Sequence, residues 1–166
     1  EHRGNFRIAT TQTEYLMGNN KTTNNVYILD STLKNLGKLE NIAPGEKIYS
    51  VRFMGDRGYM VTFKSIDPLF VMDLSDAKNP QILGELKIPG YSDYLHPYDE
   101  THLIGFGKDV DPTEAAKDQS FIYYTAVKGF KMGLFDVADP SHPKQLFTES
   151  IGDQGTYSEL LNNHKA

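Results

Sequence analysis

The chain has 166 residues, 39% hydrophobic and 23% charged, within the range of one globular domain. Seventeen Lys and Arg against 22 Asp and Glu leave a formal charge of −5, which offers no basic field for phosphates, so no nucleic-acid partner is expected. No apolar run approaches the roughly 20 residues of a membrane-spanning helix, no targeting peptide is expected at Glu1, and zero cysteines remove disulfides, thiolate metal sites and cysteine nucleophiles together.

In chain order, the first predicted strand covers 6–11 and is followed by a polar hairpin loop over 17–25, rich in Asn and Gly. Strands follow at 26–30 and 36–42. The next unit reads as four strands, at 49–54, 58–63, 69–74 and 81–88. Asp56-Arg57-Gly58 makes its first turn, Asp67-Pro68 its second and 75–80 its third. Val51 and Phe53 alternate with polar neighbours, whereas 69–74 is nearly continuous apolar, as a strand buried on both faces requires. Asp111, Pro112 and Glu114 form a helix start: the Asp111 carboxylate accepts an orphan amide, Pro112 needs no amide partner, and Glu114 reaches back. A two-turn helix is predicted over about 112–118, and a last strand at 157–162.

Repetition organises these elements. Apolar strands end in aspartate at VYILD (26–30), LFVMD (69–73) and MGLFD (132–136), and a Tyr-Ser pair opens strands at Tyr49, Tyr91 and Tyr157. Asp30 to Asp73 is 43 residues and Tyr49 to Tyr91 is 42, while the third unit is longer by about 20 residues, placing an insertion at 107–131. Four short strands at this period are the spacing of propeller blades. The expected fold is all-β: a β-propeller fragment of about three four-stranded antiparallel blades, at 6–42, 48–88 and 91–151, with a further blade starting at 157–166. Ile28, Val71, Met72, Leu134 and Phe135 are the predicted inter-blade core. The recurring aspartates, Asp30, Asp73 and Asp136, are expected to accept backbone N–H groups in the turns that follow them.

The segments LFVMDLSDAKNPQILGELKIPGYSDYLHPYDETHLIGFGKD and GFKMGLFDVADPSHPKQL resemble the bacterial and archaeal secreted beta-propeller-domain proteins, distant relatives of WD-repeat propellers, over roughly residues 26–162. The resemblance implies an extracellular or cell-surface parent protein, secreted or anchored. It brings no established activity and no catalytic residue set.

Candidate chemistry is sparse. His96 and His102 flank the turn at 97–101, with Asp93 and Asp99 nearby, and two imidazoles with a carboxylate are among zinc's non-thiolate ligands. The plainer reading is turn-edge hydrogen bonding, and the matching places in the preceding blade are read as Phe53 and Tyr59. Asp109 and Asp111 begin like a calcium loop, but Pro112 interrupts the ligand spacing, and the sixth-position Gly and twelfth-position Glu are missing. Gly105-Phe-Gly107 lacks the rest of a dinucleotide fingerprint, and Ser50, Ser92 and Ser158 sit in no nucleophile elbow. No residue is assigned a catalytic, cofactor-binding or metal-ligating role, and no cofactor is expected. The favoured function is a non-catalytic extracellular binding or scaffolding module for a protein or glycan partner, with self-association through open propeller ends. The alternative is a hydrolase or lyase acting on extracellular polymer, centred on Asp93, His96 and His102. Fold alone does not choose between them.

Overall fold

A computed structural model describes residues 1–15, 20–63, 67–115 and 126–162. Three antiparallel meanders follow one another. Sheet 1 contains β1 (Phe6–Glu14), β2 (Lys21–Leu29) and β3 (Asn35–Ile42). Sheet 2 contains β4 (Lys47–Met54), β5 (Arg57–Phe63), β6 (Asp67–Asp73) and β7 (Gln81–Ile88). Sheet 3 contains β8 (Tyr91–Pro97), β9 (His102–Val110), β10 (Val127–Asp136) and β11 (Lys144–Ile151). Helix α1 (Pro112–Ala115) starts as its sequence requires, with the Thr113 and Glu114 amides donating to Asp111 Oδ1 at 2.9 and 3.4 Å. The remainder of the helix predicted over 112–118 lies outside the described residues.

The strands stack by face. Val26, Ile28 and Ile42 of sheet 1 are buried against Met60, Phe70, Met72 and Leu74 of sheet 2. Tyr59, Val61, Leu69, Val71 and Ile88 on the opposite face of sheet 2 are buried with Leu95, Leu103, Phe135 and Val137. Of the predicted core positions, Ile28, Val71, Met72 and Phe135 are fully buried, whereas Leu134, on the other face of sheet 3, is only half-buried. A third cluster of Phe63, Tyr91, Val110, Ala126 and Val127 closes one end between sheets 2 and 3. The ring of Tyr49 joins it, 5.5 Å from Phe63 and 4.9 Å from Tyr91. Strand β4 lies against β8, where the Ser50 hydroxyl donates to the Ser92 carbonyl at 2.8 Å.

Register shows what recurs. Ile28 faces Gly37, Val71 faces Gly84 and Leu134 faces Phe147, each two residues before the recurring aspartate, and each sheet has a bulge at that point. The three aspartates hold the turns as expected: Asp30, Asp73 and Asp136 accept the amides of Thr32, Ser75 and Ala138 at 2.7, 3.0 and 2.9 Å. In sheets 2 and 3 a second turn follows, with Asp76 accepting from Lys78 and Asp139 from Ser141.

Several sequence expectations shift. Lys21–Asn25, read as part of a polar loop, is strand, and Asn24 is fully buried with its side-chain amide donating to the Ile42 and Glu46 carbonyls at 3.1 Å each. Residues 17–19 of that loop lie outside the described residues. Asp67 and Pro68 begin β6 instead of making a turn; at Pro68 the strand pairs with β7 alone, since pairing with β5 starts at Leu69, and such an edge position tolerates proline. The expected insertion at 107–131 is strand at both flanks, because β9 and β10 pair from Val110 and Val127 onward. The Tyr-Ser pairs are not in one register: Ser50 faces Val61, the β5 counterpart of Phe106, but Phe106 faces Tyr94, so the bulge residue Tyr49 matches the bulge residue Asp93 and the Tyr91-Ser92 pair lies two residues earlier along its strand. Tyr157–Asn162 holds no strand. It contains a 3-10 helix at Glu159–Leu161, capped by the Ser158 hydroxyl, which accepts from the Leu160 amide at 3.3 Å.

Candidate functional site

Antiparallel pairing brings the hairpin turns of β4–β5 and β8–β9 to the same end of sheets 2 and 3. Between them lies a groove of about 430 Å³, lined by Met54, Gly55, Arg57 and Tyr59 on one side and Pro97, Tyr98, Asp99 and Glu100 on the other. Sheet 1 braces its first wall: Arg7 Nη1 donates to the Gly55 carbonyl at 2.5 Å, while His2 and Arg3 each reach Asp56 at 2.9 Å. Arg57 pairs with Asp73 at 3.2 Å, and backbone donation from Ser75, aided by Arg57, holds the Asp73 carboxyl below the usual range. Tyr59 lies under the groove floor, its phenol pushed up by burial. Tyr98 stands 68% exposed at the rim.

The second wall is fixed from within. Asp99 Oδ1 accepts the Thr101 amide at 2.7 Å, and His102 Nδ1 donates to both Asp99 oxygens at 3.0 Å. The Thr101 hydroxyl also reaches Asp99 at 3.0 Å. These contacts, the backbone amide foremost, hold the Asp99 carboxyl below its ordinary value. His102 and Asp99 resemble a general-base dyad. The hydroxyl joined to them is Thr101, within the same turn, so the network orients the turn.

The proposed trio of Asp93, His96 and His102 separates. By register His96 and His102 share one face as diagonal neighbours, roughly 7 Å apart. His96 Nδ1 is hydrogen-bonded to Tyr94 Oη at 3.1 Å, and His102 is bound to Asp99. Asp93 lies three residues down β8 from His96, about 10 Å along the strand. It is beside Lys108, and burial pushes its carboxyl up to about 6. Among the described residues no three His, Asp or Glu side chains form a metal-holding group. The assigned counterparts also change. His102 faces Asp136 as Arg57 faces Asp73, and His96 faces Ile104 as Arg52 faces Tyr59, so the histidines replace Arg52 and Arg57, not Phe53 and Tyr59. The turn at 98–101 is longer than the Gly55-Asp56 turn, and this displaces a linear alignment.

The groove itself was missed by sequence reading, because its walls come from turns more than forty residues apart. The lengthened, exposed Tyr98-Asp99-Glu100 turn was its sequence signal.

Successive antiparallel sheets of three or four strands, stacked face to face and each carrying the recurring aspartate turn between its last two strands, define a propeller, and the chain belongs to the family described as Beta propeller domain, which matches it over residues 1–166. It is similar to the uncharacterized protein MJ1554 of Methanocaldococcus jannaschii, 47% identical over 146 residues, covering 88% of this chain and 21% of that protein. An uncharacterized protein of Archaeoglobus fulgidus is 39% identical over 166 residues, all of this chain and 23% of that protein. The chain thus spans about a fifth of the length of these curated relatives. No helix among the described residues is long and apolar enough to cross a membrane.

Proposed function

We propose that the chain is a non-catalytic binding module of an extracellular or surface-anchored propeller protein, and that the groove between the β4–β5 and β8–β9 turns holds a glycan. The observation that carries this reading is the exposed Tyr98 ring beside Arg57, Asp99 and Glu100. An aromatic side chain offers an apolar face and a polar tip, while the guanidinium donates and the carboxylates accept, as sugar hydroxyls require. The braced turns keep these groups preorganised, which lowers the ordering cost of binding. The extracellular setting is supported by the resemblance of the repeat segments to secreted propeller proteins.

Calorimetric titration with a panel of soluble oligosaccharides tests the reading. At least one is expected to bind, with Tyr98→Ala and Glu100→Gln each weakening it about tenfold, or roughly 1.4 kcal/mol, without moving the unfolding transition. Binding unaffected by both substitutions, or no binding across the panel, would overturn it.

A further inference from the structure

The hairpin that joins β1 to β2 carries Asn20-Lys21-Thr22, an asparagine and a hydroxyl residue separated by one residue other than proline, which is the pattern of N-linked glycan acceptors. Of ten asparagines in the chain, Asn20 alone has Ser or Thr two positions on, so a single acceptor is offered. The β1–β2 ladder ends at the pair Glu14 and Lys21, so Asn20 lies just past it, at the end of sheet 1 and on neither face. It is exposed, and its side chain forms no hydrogen bond among the described residues. The asparagines further along β2 are occupied by the fold: Asn24 donates to the Ile42 and Glu46 carbonyls, and Asn25 accepts the Asn41 amide at 3.1 Å. Tyr15, the first residue past the ladder on the other strand, is 83% exposed, and its ring offers an attached sugar an apolar face.

We propose that Asn20 is the acceptor of an N-linked glycan, transferred as the chain is exported and before this hairpin closes; the step rests on the extracellular setting proposed above. Asn20 Nδ2 forms a bond to the anomeric carbon of a lipid-phosphate-linked oligosaccharide. The bond from that carbon to the phosphate oxygen breaks, and the lipid phosphate leaves with the electron pair. The amide nitrogen gives up one proton to the transferase.

Thr22 fixes the order of events. In the folded chain it is buried, its hydroxyl lies 3.3 Å from that of Thr13, and its carbonyl accepts the Gly45 amide at 2.8 Å. A transferase that reads this hydroxyl must therefore meet the segment before β1 and β2 pair. Once they pair, a glycan on Asn20 stands beyond the ladder and displaces no buried side chain. It also leaves the groove free. Arg7, near the start of β1, donates to the Gly55 carbonyl in the groove wall. Glu14, at the other end of β1, is roughly 23 Å further along at about 3.3 Å per residue. Asn20 lies past the partner of Glu14, at the end of the sheets opposite the groove.

The 166-residue chain, placed behind a secretion signal, can be produced in an archaeon that N-glycosylates its surface proteins, archaea being the source of the two relatives named above. Mass spectrometry of the secreted chain is expected to find one glycan, on the peptide that carries Asn20. Asn20→Gln should abolish it and still yield folded, secreted chain, because the position is exposed. Thr22→Val should also abolish it, whereas Thr22→Ser should keep it. A synthetic peptide of residues 8–26 should accept glycan from purified transferase and lipid-linked donor at least about tenfold faster than the folded, unmodified chain, which must first open the hairpin. An unmodified secreted chain, a glycan that survives Asn20→Gln, or equal rates for peptide and folded chain would each overturn the proposal. Because the signal imposes export, these failures count against Asn20 and not against the extracellular reading, which is tested separately by locating the natural protein in its own cells.

Discussion

Asp93 is the extra residue of the bulge between Ser92 and Tyr94, a position that turns its carboxylate into a half-buried site beside Lys108. Lys108, only 4% exposed, donates to the Thr156 carbonyl, so its ammonium serves two neighbours. Burial raises the Asp93 carboxyl from 3.8 to about 6, and Lys108 opposes that rise. Between those values the folded chain keeps a proton that the unfolded chain has lost. Stability therefore falls as pH rises through this window, and the full loss persists above it. Asp93→Asn should remove the effect: near pH 7.5 the variant should exceed wild type by on the order of 1–3 kcal/mol. The gain should vanish near pH 3. Urea midpoints of both proteins at the two pH values measure it, and the other carboxylates cancel in the difference. An equal gap at both would assign the change to packing, not charge.

At the scale of the element, the recurring unit is a strand ending in aspartate, a turn held by that carboxylate, and a fourth strand whose glycine receives the next sheet's loop. Gly84→Ala places a methyl 2.6 Å from the Pro140 oxygen and 2.8 Å from that of Ser141, both backbone atoms that cannot step aside alone. A cost of about 1–3 kcal/mol is expected, read as a lower urea midpoint. The strands and their period were legible because Asp30, Asp73 and Asp136 each end an apolar run and their chemistry is local. The pairing register was not legible: the bulge falls at the same place in β4 and β8, on Tyr49 and Asp93, but the Tyr-Ser pair sits two residues earlier in β8 and the β8–β9 turn is longer, and so the Tyr-Ser landmark and the histidine counterparts were misaligned. Tyr157–Asn162 was misread for a related reason. Its apolar residues suit a strand, but a strand needs backbone partners, and here the Ser158 hydroxyl captures the amide of Leu160 instead. The groove depends on two turns meeting across an interface, and no single segment announces that.

For the whole molecule, sheet 2 stands between two separate cores that share no residue. Ile28 belongs to the core between sheets 1 and 2, and Phe135 to the core between sheets 2 and 3. Each sheet thus depends on its neighbours alone, which makes stability a chain of nearest-neighbour contributions. Phe135→Ala should cost about 3–5 kcal/mol, because a fully buried ring leaves a cavity the surrounding strands fill only in part. That cost should fall unevenly. Hydrogen exchange is expected to show amides of β8–β11 losing most protection while β1–β3 keep theirs against the intact Met60, Phe70 and Met72 surface. Ile28→Ala should invert the pattern, loosening β1–β3 and sparing β8–β11. If both variants lower protection equally in all three sheets, the interfaces unfold as one cooperative unit, and sheet 2 transmits the loss from one core to the other instead of insulating them.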